Sequence, residues 1–399
     1  MKILIINFHY PPSTTAHSYR WSLLRDYFLK HNHSVDYICG GQASENDKEN
    51  GICRVNFPYT IKKNDIGLTQ GIPIKRNLFK SKFISISKYL YRKFFWPDGL
   101  WHWLPLALYE VYKRRKVKYD LVVGYSPTFS AIIASYFYKK INDQVRFIVD
   151  FGDPFSVSSE MPVNNYFLYG KLNHWVENKI FNAADLISFT NEKTYNLYKS
   201  AHSDISKFEV IPHLVNIDDF YTNSEPKFGE KYKVGYVGAF HKGIREPDLV
   251  VEKILGLPDL FAAKCQFDFY GPLNGTSLSD SGRLIYHGVV ERHEALHLMK
   301  SFDIIINVEN ESCPMTPSKI YECMATGKPI LNFLSSTGLS SFNNYPLVLN
   351  IDRNTHSSQI EKFIIDNVNK NLSREIVDEI LTGKTLSSIG DQYLSLVGD

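Results

Sequence analysis

The chain has 399 residues, 44% of them hydrophobic, with 45 basic and 42 acidic side chains and a formal charge of +3. That length favours two domains with sizeable cores, and so small a charge gives no support to nucleic-acid binding. Its five cysteines form no Cys-x-x-Cys pair and fit reduced thiols in a cytosolic protein better than a disulfide scaffold.

The first stretch, "KILIINF", reads as a buried strand. Its apolar run is short and leads into Pro-Pro, so it is not expected to be a signal peptide. No apolar run is long enough to span a bilayer. A loop, "HYPPSTTAHS", precedes the helical "YRWSLLRDYFLKHN" and the strand "SVDYIC". This is a β-loop-α-β unit of a doubly wound parallel sheet. Further strands are "YDLVVGYS", "VRFIVDFG" and "ADLISFT", the last preceded by the helical "WVENKIFNA". "FEVIPHLVNIDDF" reads as a strand followed by an irregular segment, and the domain boundary is placed there.

The alternation then restarts with the strand "YKVGYVGAF" and the helix "EPDLVVEKILG". The strands "CQFDFYG" and "RLIYHGVV", the helix "RHEALHLMKS" and the strand "FDIIINVE" follow. The predicted division is an N-terminal domain at 1–207, a C-terminal domain at 208–382 and a helix at 383–399 that packs back on the first domain. The predicted fold class is α/β, with two facing Rossmann-like domains. Ligands bind beyond the carboxyl ends of the strands in such sheets, so both sets of loops are expected to line one cleft.

"PSKIYECMATGKPI" carries the most local chemistry. Thr316 suits an N-cap and Pro317 the first helical position. Ser318, Lys319 and Glu322 then share one side of a short helix. Gly327 ends it, Pro329 prevents its continuation, and "PILNF" is a buried strand. A helix start with a lysine suits phosphate, and a carboxylate one turn deeper suits a sugar diol. A capped helix with a surface Lys–Glu pair is the plain alternative.

Taken together, these stretches resemble the retaining glycosyltransferases of the GT-B fold, in the large family 4 of that classification. The likeness runs through "PSKIYECMATGKPIL", "VGAFHKGIREPDLVVEKI" and "EVIPHLVNIDDF", where His213 and Leu214 stand for the usual Asn-Gly. "YPP" with "YRW", "WPDGLWHWLPLAL", "YDLVVGYSPTFSA" and "VDFGDPFS" resemble, in order, a subgroup acting in bacterial polysaccharide assembly. In the last of these, Gly152 and Phe155 replace an Arg and a Trp.

The resemblance implies a nucleotide-sugar donor site in the second domain. Gly238 lets backbone approach the diphosphate, and Lys242 and Arg245 supply charge as the leaving phosphate develops its own. Arg245 takes the weight because Ala239 stands where the family often has an Arg. Lys319 then serves the phosphate side and Glu322 the ribose. Thr316, Ser318 and the backbone near Val290 complete the donor contacts. Pro314 replaces a glutamate that usually contacts the donor sugar. In the first domain, Ser13, Thr14 and Thr15 are expected at the acceptor, although these hydroxyls equally suit helix capping, and Arg20 is expected to serve structure or the acceptor. Asp150 is the expected catalytic carboxylate, with Asp153 beside it for catalysis, acceptor binding or a turn. No metal site is visible, and the resemblance implies metal-independent catalysis with no cofactor.

Residues 75–118 are rich in Lys and Arg interleaved with Phe, Tyr and Trp. Such a segment suits an anionic membrane, at roughly 1 kcal/mol per well-placed basic residue. Core tryptophans and a solvated basic face are the alternative. The sequence therefore predicts a hexosyltransferase acting on a glycan or polyprenyl-diphosphate-linked glycan. It is expected in the cytoplasm, peripheral at the inner face of the plasma membrane. A nucleotide-sugar epimerase and a non-catalytic sugar-nucleotide binding module are the competing readings.

Overall fold

The computed structural model describes residues 1–13, 16–44, 47–55, 94–157, 162–202, 206–222, 231–311, 319–342 and 344–398. The chain divides into two compact units. One comprises Met1–Pro212 with Gly390–Asp399, the other His213–Ile389.

The first unit contains β1 (Lys2–Ile6), α1 (Ala16–Lys30), β2 (Ser34–Gly40), β3 (Ile52–Val55), α2 (Leu104–Lys113) and β4 (Leu121–Ser126). It continues with α3 (Phe129–Ile141), β5 (Arg146–Phe151), α4 (Tyr166–Ala183), β6 (Leu186–Phe189), α5 (Glu192–Ala201) and β7 (Phe208–Val210). Among the described residues these strands form one parallel sheet in the order β3-β2-β1-β4-β5-β6-β7.

The second unit contains β8 (Tyr232–Val237), α6 (Asp248–Leu255), α7 (Asp259–Ala262), β9 (Cys265–Tyr270), β10 (Leu284–Gly288) and α8 (Arg292–Ser301). It continues with β11 (Ile304–Val308), α9 (Lys319–Ala325), β12 (Ile330–Phe333), β13 (Val348–Ile351), α10 (Ser357–Asn367) and α11 (Arg374–Ile380). Its sheet is parallel too, in the order β10-β9-β8-β11-β12-β13. The last helix, α12 (Leu386–Gly398), groups with the first unit from Gly390 onward.

Strand burial explains the parallel sheets. Every residue of β4 ("LVVGYS") and β11 ("IIINV") is buried, as expected for strands covered on both faces. In each sheet the strand order reverses at one place: between β1 and β4, and between β8 and β11. The loops leaving the carboxyl ends of these strands flank a crevice where such sheets bind ligands.

The sequence patterns do not single out β3, α2, α3, α5, α7, β13, α10 or α11. For α3 the reason is physical. Phe129, Ser130, Ala131, Ile132, Ala134, Ser135 and Tyr138 are all buried, so no clean amphipathic stripe marks the helix. The turn after α9 matches its expectation. Gly327 has φ +72°, and a Cβ there would lie 2.8 Å from Asn371 Oδ1.

Candidate functional site

The carboxyl end of β5 carries two acidic side chains with different fates. Asp150 is fully buried. Its Oδ2 accepts from Arg20 Nε and Trp21 Nε1, both at 2.7 Å, and its Oδ1 accepts from Ser188 Oγ at 2.8 Å. Arg20 is buried as well and also donates to the carbonyls of Ile211 and Pro212 and to Tyr393 Oη. Burial opposes the guanidinium charge, but Asp150 outweighs it and holds Arg20 protonated beyond its ordinary range. Of the two roles expected for Arg20, structure or the acceptor, these bonds serve the first, and Asp150, the expected catalytic carboxylate, is enclosed with it. Both are enclosed, and their hydrogen-bonding groups are committed to each other and to the fold.

Asp153 lies just past the strand and is 25% exposed, with His17 Nε2 3.5 Å from its Oδ2. Burial raises the Asp153 carboxyl above its usual range, and the His17 charge only partly offsets it. Burial likewise lowers His17, against the pull of Asp153. Both shifts favour the uncharged forms of the pair. The His17 ring is 6.0 Å from His9 and 6.2 Å from Tyr125. Asn7 Nδ2 fixes the loop by donating to the carbonyls of His9 and His17. Ser13 accepts through its carbonyl from Ser18 Oγ at 2.6 Å, while Thr14 and Thr15 lie outside the described residues.

The two departures from the polysaccharide-subgroup motif have local reasons. A Cβ at Gly152 would lie 2.5 Å from Tyr125 Oη and 2.9 Å from the Ser126 carbonyl, so an arginine does not fit this backbone. Phe155 is buried and stacks on Phe129 with ring centroids 3.6 Å apart.

In the second unit the loop after β8 meets the loop after β11. His241 and Arg245 exchange backbone hydrogen bonds of 2.9 and 2.8 Å around a turn closed by Gly243 at φ +77°. Arg245 Nε and Nη2 both donate to Asn310 Oδ1, at 3.1 and 2.7 Å, and Nη1 donates to the Ala239 carbonyl at 3.4 Å. These partners are neutral, and among the described residues no carboxylate pairs with Arg245. Its charge is thus held in place without being cancelled. Gly238 is fixed by packing: its N–H donates to the Tyr270 carbonyl, and a Cβ would lie 2.7 Å from Tyr236 Oη. Lys242 is exposed on the same turn.

Glu309 is buried, accepting from Asn332 Nδ2 and from Ser341 N and Oγ, which makes it a brace within the sheet. Glu311 accepts from Ser336 N, and its own N–H donates to the Ile244 carbonyl. A cavity of about 560 Å³ opens here, lined by Glu246, Asp248, Glu311, Ser336 and Arg353 among others. Its acidic rim suits sugar hydroxyls better than phosphate.

Glu322 sits on α9 with its side chain 13% exposed. Arg292 Nη2 donates to its Oε1 at 2.7 Å, and Lys319 Nζ lies 3.4 Å from its Oε2. Oε2 accepts no hydrogen bond among the described residues. Burial pushes the carboxyl up, but Arg292 and Lys319 together overcome that and bring it down to about 2. Lys319 is thus engaged with Glu322. Val290 is half-buried against the core beside α9, while Thr316 and Ser318 lie outside the described residues.

A pH dependence follows for Glu322. A depressed carboxylate stabilises the fold fully above its ordinary value of 4.5, and the contribution is lost as pH falls through about 2. The contribution is on the order of 3 kcal/mol. Urea unfolding at pH 6, 4 and 2.5 is expected to show the stability gap between wild type and Glu322→Gln shrinking toward the acid end. A gap that stays constant would contradict the pairing.

Arg292, Asn310 and His17 are the site residues that sequence reasoning missed or passed over. Arg292 opens α8 and pairs across 30 residues of sequence, so no local pattern announces it.

No protein-family model matches this chain, and no curated protein matches its sequence. Solved structures do match its fold. HepE of Anabaena, in complex with UDP and glucose, aligns over 100% of both chains at 12% identity and TM-score 0.60. The sucrose-phosphate synthase of Thermosynechococcus elongatus aligns over 99% of this chain and 98% of its own, at 13% identity and TM-score 0.60. A glycosyltransferase of Rickettsia africae aligns over 99% of this chain and 97% of its own, at 13% identity and TM-score 0.62. The chain therefore has the GT-B glycosyltransferase fold.

Proposed function

We propose that this protein is a retaining glycosyltransferase. It moves a hexose from a UDP- or GDP-sugar onto a lipid-linked or growing surface polysaccharide. The observation that carries this reading is Arg245, held by neutral Asn310 at the strand-order reversal between β8 and β11. A fixed, uncancelled guanidinium at the carboxyl edge of a parallel sheet suits a nucleotide diphosphate, whose leaving phosphate gains charge as the glycosidic bond breaks. HepE, with UDP and glucose bound, supports the donor class.

Lys242 adds charge on the same turn, and Glu322, oriented by Arg292, takes the ribose. The backbone near Val290 holds the base, with Thr316 and Ser318 at the helix start. The acceptor oxygen bonds to the sugar's anomeric carbon from the same face that the phosphate leaves, and the departing phosphate takes the acceptor hydroxyl's proton, so retention needs no protein nucleophile. Asp153 with His17 orients the acceptor and buffers that proton. The transfer is metal-independent in this proposal, because basic side chains serve where a cation would.

The acceptor proposal rests on an exposed aromatic and basic surface. Residues 56–93, and with them Lys75 to Lys93, lie outside the described residues. Within the rest, Trp103 belongs to the core and Trp96 Nε1 is tied to Asn173, while Trp101, Tyr109, Tyr112 and Phe94 are exposed. On α4, Phe167 is fully exposed, and Tyr166, Leu168, Leu172 and Trp175 accompany it. Lys171 is exposed beside them, and Lys179 sits over the Trp175 ring. No helix of the described residues is long and apolar enough to cross a membrane. Exposed rings among lysines suit contact with the anionic inner face of a plasma membrane.

The test is a panel of UDP-, GDP- and ADP-sugars, read by thermal shift, with vesicle co-sedimentation as a second arm. One nucleotide sugar is expected to raise the unfolding temperature, and anionic vesicles to retain more protein than neutral ones. No shift with any donor would overturn the donor site, and equal vesicle binding would overturn the membrane surface.

A further inference from the structure

Away from both loop clusters, three side chains of the first unit converge on one point. His174 and Glu177 lie three residues apart on the same side of α4, and His202 follows the C-terminal end of α5. One ligand atom from each lies within 4.8 Å of the other two. Glu177 is fully buried and the His202 side chain is 5% exposed. His202 Nε2 is buried with no hydrogen-bond partner and points at Glu177 Oε2 from 3.6 Å. That distance is too long for a hydrogen bond, and a buried imidazole nitrogen left unpartnered needs an explanation.

The surroundings hold these groups in place. Phe181, Tyr198 and Phe208 surround the His202 ring, with centroids 4.8, 5.8 and 6.1 Å away, and the His174 ring is 5.0 Å off. Tyr198 Oη donates to Glu177 Oε1 at 2.9 Å, and Ser156 Oγ donates to Oε2. Such outer hydrogen bonds orient a ligating carboxylate. A cavity of about 190 Å³ adjoins the cluster, lined by His174, His202, Asn178, Asn182 and Lys207 among others. Lys207 donates its ammonium protons to the carbonyls of Ala184 and Asn182, at 2.7 and 3.4 Å.

We propose that His174, Glu177 and His202 bind one divalent transition-metal ion of the zinc class. Two imidazoles and a carboxylate are a recurrent three-ligand set for zinc, and the adjoining cavity gives room for a fourth ligand. Tetrahedral bonds of about 2.0–2.2 Å place ligand atoms roughly 3.3–3.6 Å apart, so atoms now up to 4.8 Å apart must close in by about 1 Å. A plain imidazolium–carboxylate pair would involve His202 and Glu177 only. The metal reading also requires His174, and that distinguishes the two. This site is independent of the donor and acceptor assignments above.

The experiment uses the full chain, stripped with a chelator and titrated with Zn²⁺ alone. Calorimetry is expected to give one ion per chain, and the unfolding temperature is expected to rise with zinc. Co²⁺ in place of Zn²⁺ is expected to give the visible absorption bands of a tetrahedral site. His174→Ala and the bulk-preserving His174→Gln are expected to weaken binding roughly tenfold or more while folding normally without metal. Equal Zn²⁺ affinity in wild type and both variants would overturn the proposal, because the ion would then sit on other histidines. Should either variant misfold, wild type decides: absence of the tetrahedral Co²⁺ spectrum overturns it.

Discussion

Asp150→Ala and Arg20→Ala are each expected to destabilise the first unit by about 3–5 kcal/mol, whatever they do to activity. Removing either partner leaves a buried charge without its counter-ion. Asp150 is fully buried and Arg20 nearly so, and their ion pair is 2.7 Å long. The network also ties α1 to β6 through Ser188, to the chain at Ile211 and Pro212, and to Tyr393 near the C-terminus. A double-mutant cycle read by urea unfolding checks it. The double variant is expected to cost much less than the two single losses added together, because neither charge is then stranded. If Asp150→Asn instead abolished transfer with unchanged stability, Asp150 would be a catalytic carboxylate after all.

Arg245→Ala is expected to lower kcat by roughly 10²–10³-fold, with little change in the unfolding temperature. The guanidinium is half-buried and bonds only to loop atoms, Asn310 Oδ1 on the loop after β11 and the Ala239 carbonyl on its own loop, and the turn's backbone hydrogen bonds survive its removal. Arg245→Lys is expected to recover only part of the loss, because an ammonium lacks the planar fork. Asn310→Ala should fall between wild type and Arg245→Ala, since Asn310 Oδ1 positions the arginine. Steady-state kinetics beside thermal unfolding make the comparison. Activity within about threefold of wild type in Arg245→Ala would remove this residue from the reaction.

Most of the fold was legible because buried parallel strands advertise themselves. Runs such as "KILII" and "IIINV" are apolar on both faces, and the helices between them, such as "RHEALHLMKS", carry a stripe. The elements that escaped notice lack such contrast. α3 is buried on most sides, and β13 has only four residues, mostly half-exposed.

The candidate site was legible only where chemistry is local. The turn around Gly243 brings Arg245 to the carboxyl end of β8, and Lys319 meets Glu322 one turn on. Long-range pairing was not legible. Asp150 and Asp153 look alike in sequence, both at the end of a strand. Which one is consumed by the fold depends on Arg20, 130 residues away. Glu322 likewise depends on Arg292, whose position in α8 gives no hint of it.

Nucleotide release separates a transferase from a binding module and from an epimerase. The purified chain is incubated with each of the UDP-, GDP- and ADP-sugars, with and without membrane lipid extract, and free nucleotide is measured alongside sugar incorporated into lipid. One donor alone is expected to release its nucleotide, the release is expected to depend on the lipid extract, and Arg245→Ala is expected to suppress it. Binding of a donor without release in any extract would contradict a transferase and leave a sugar-nucleotide binding module. Release without lipid, accompanied by a free epimerised sugar, would contradict it in favour of an epimerase.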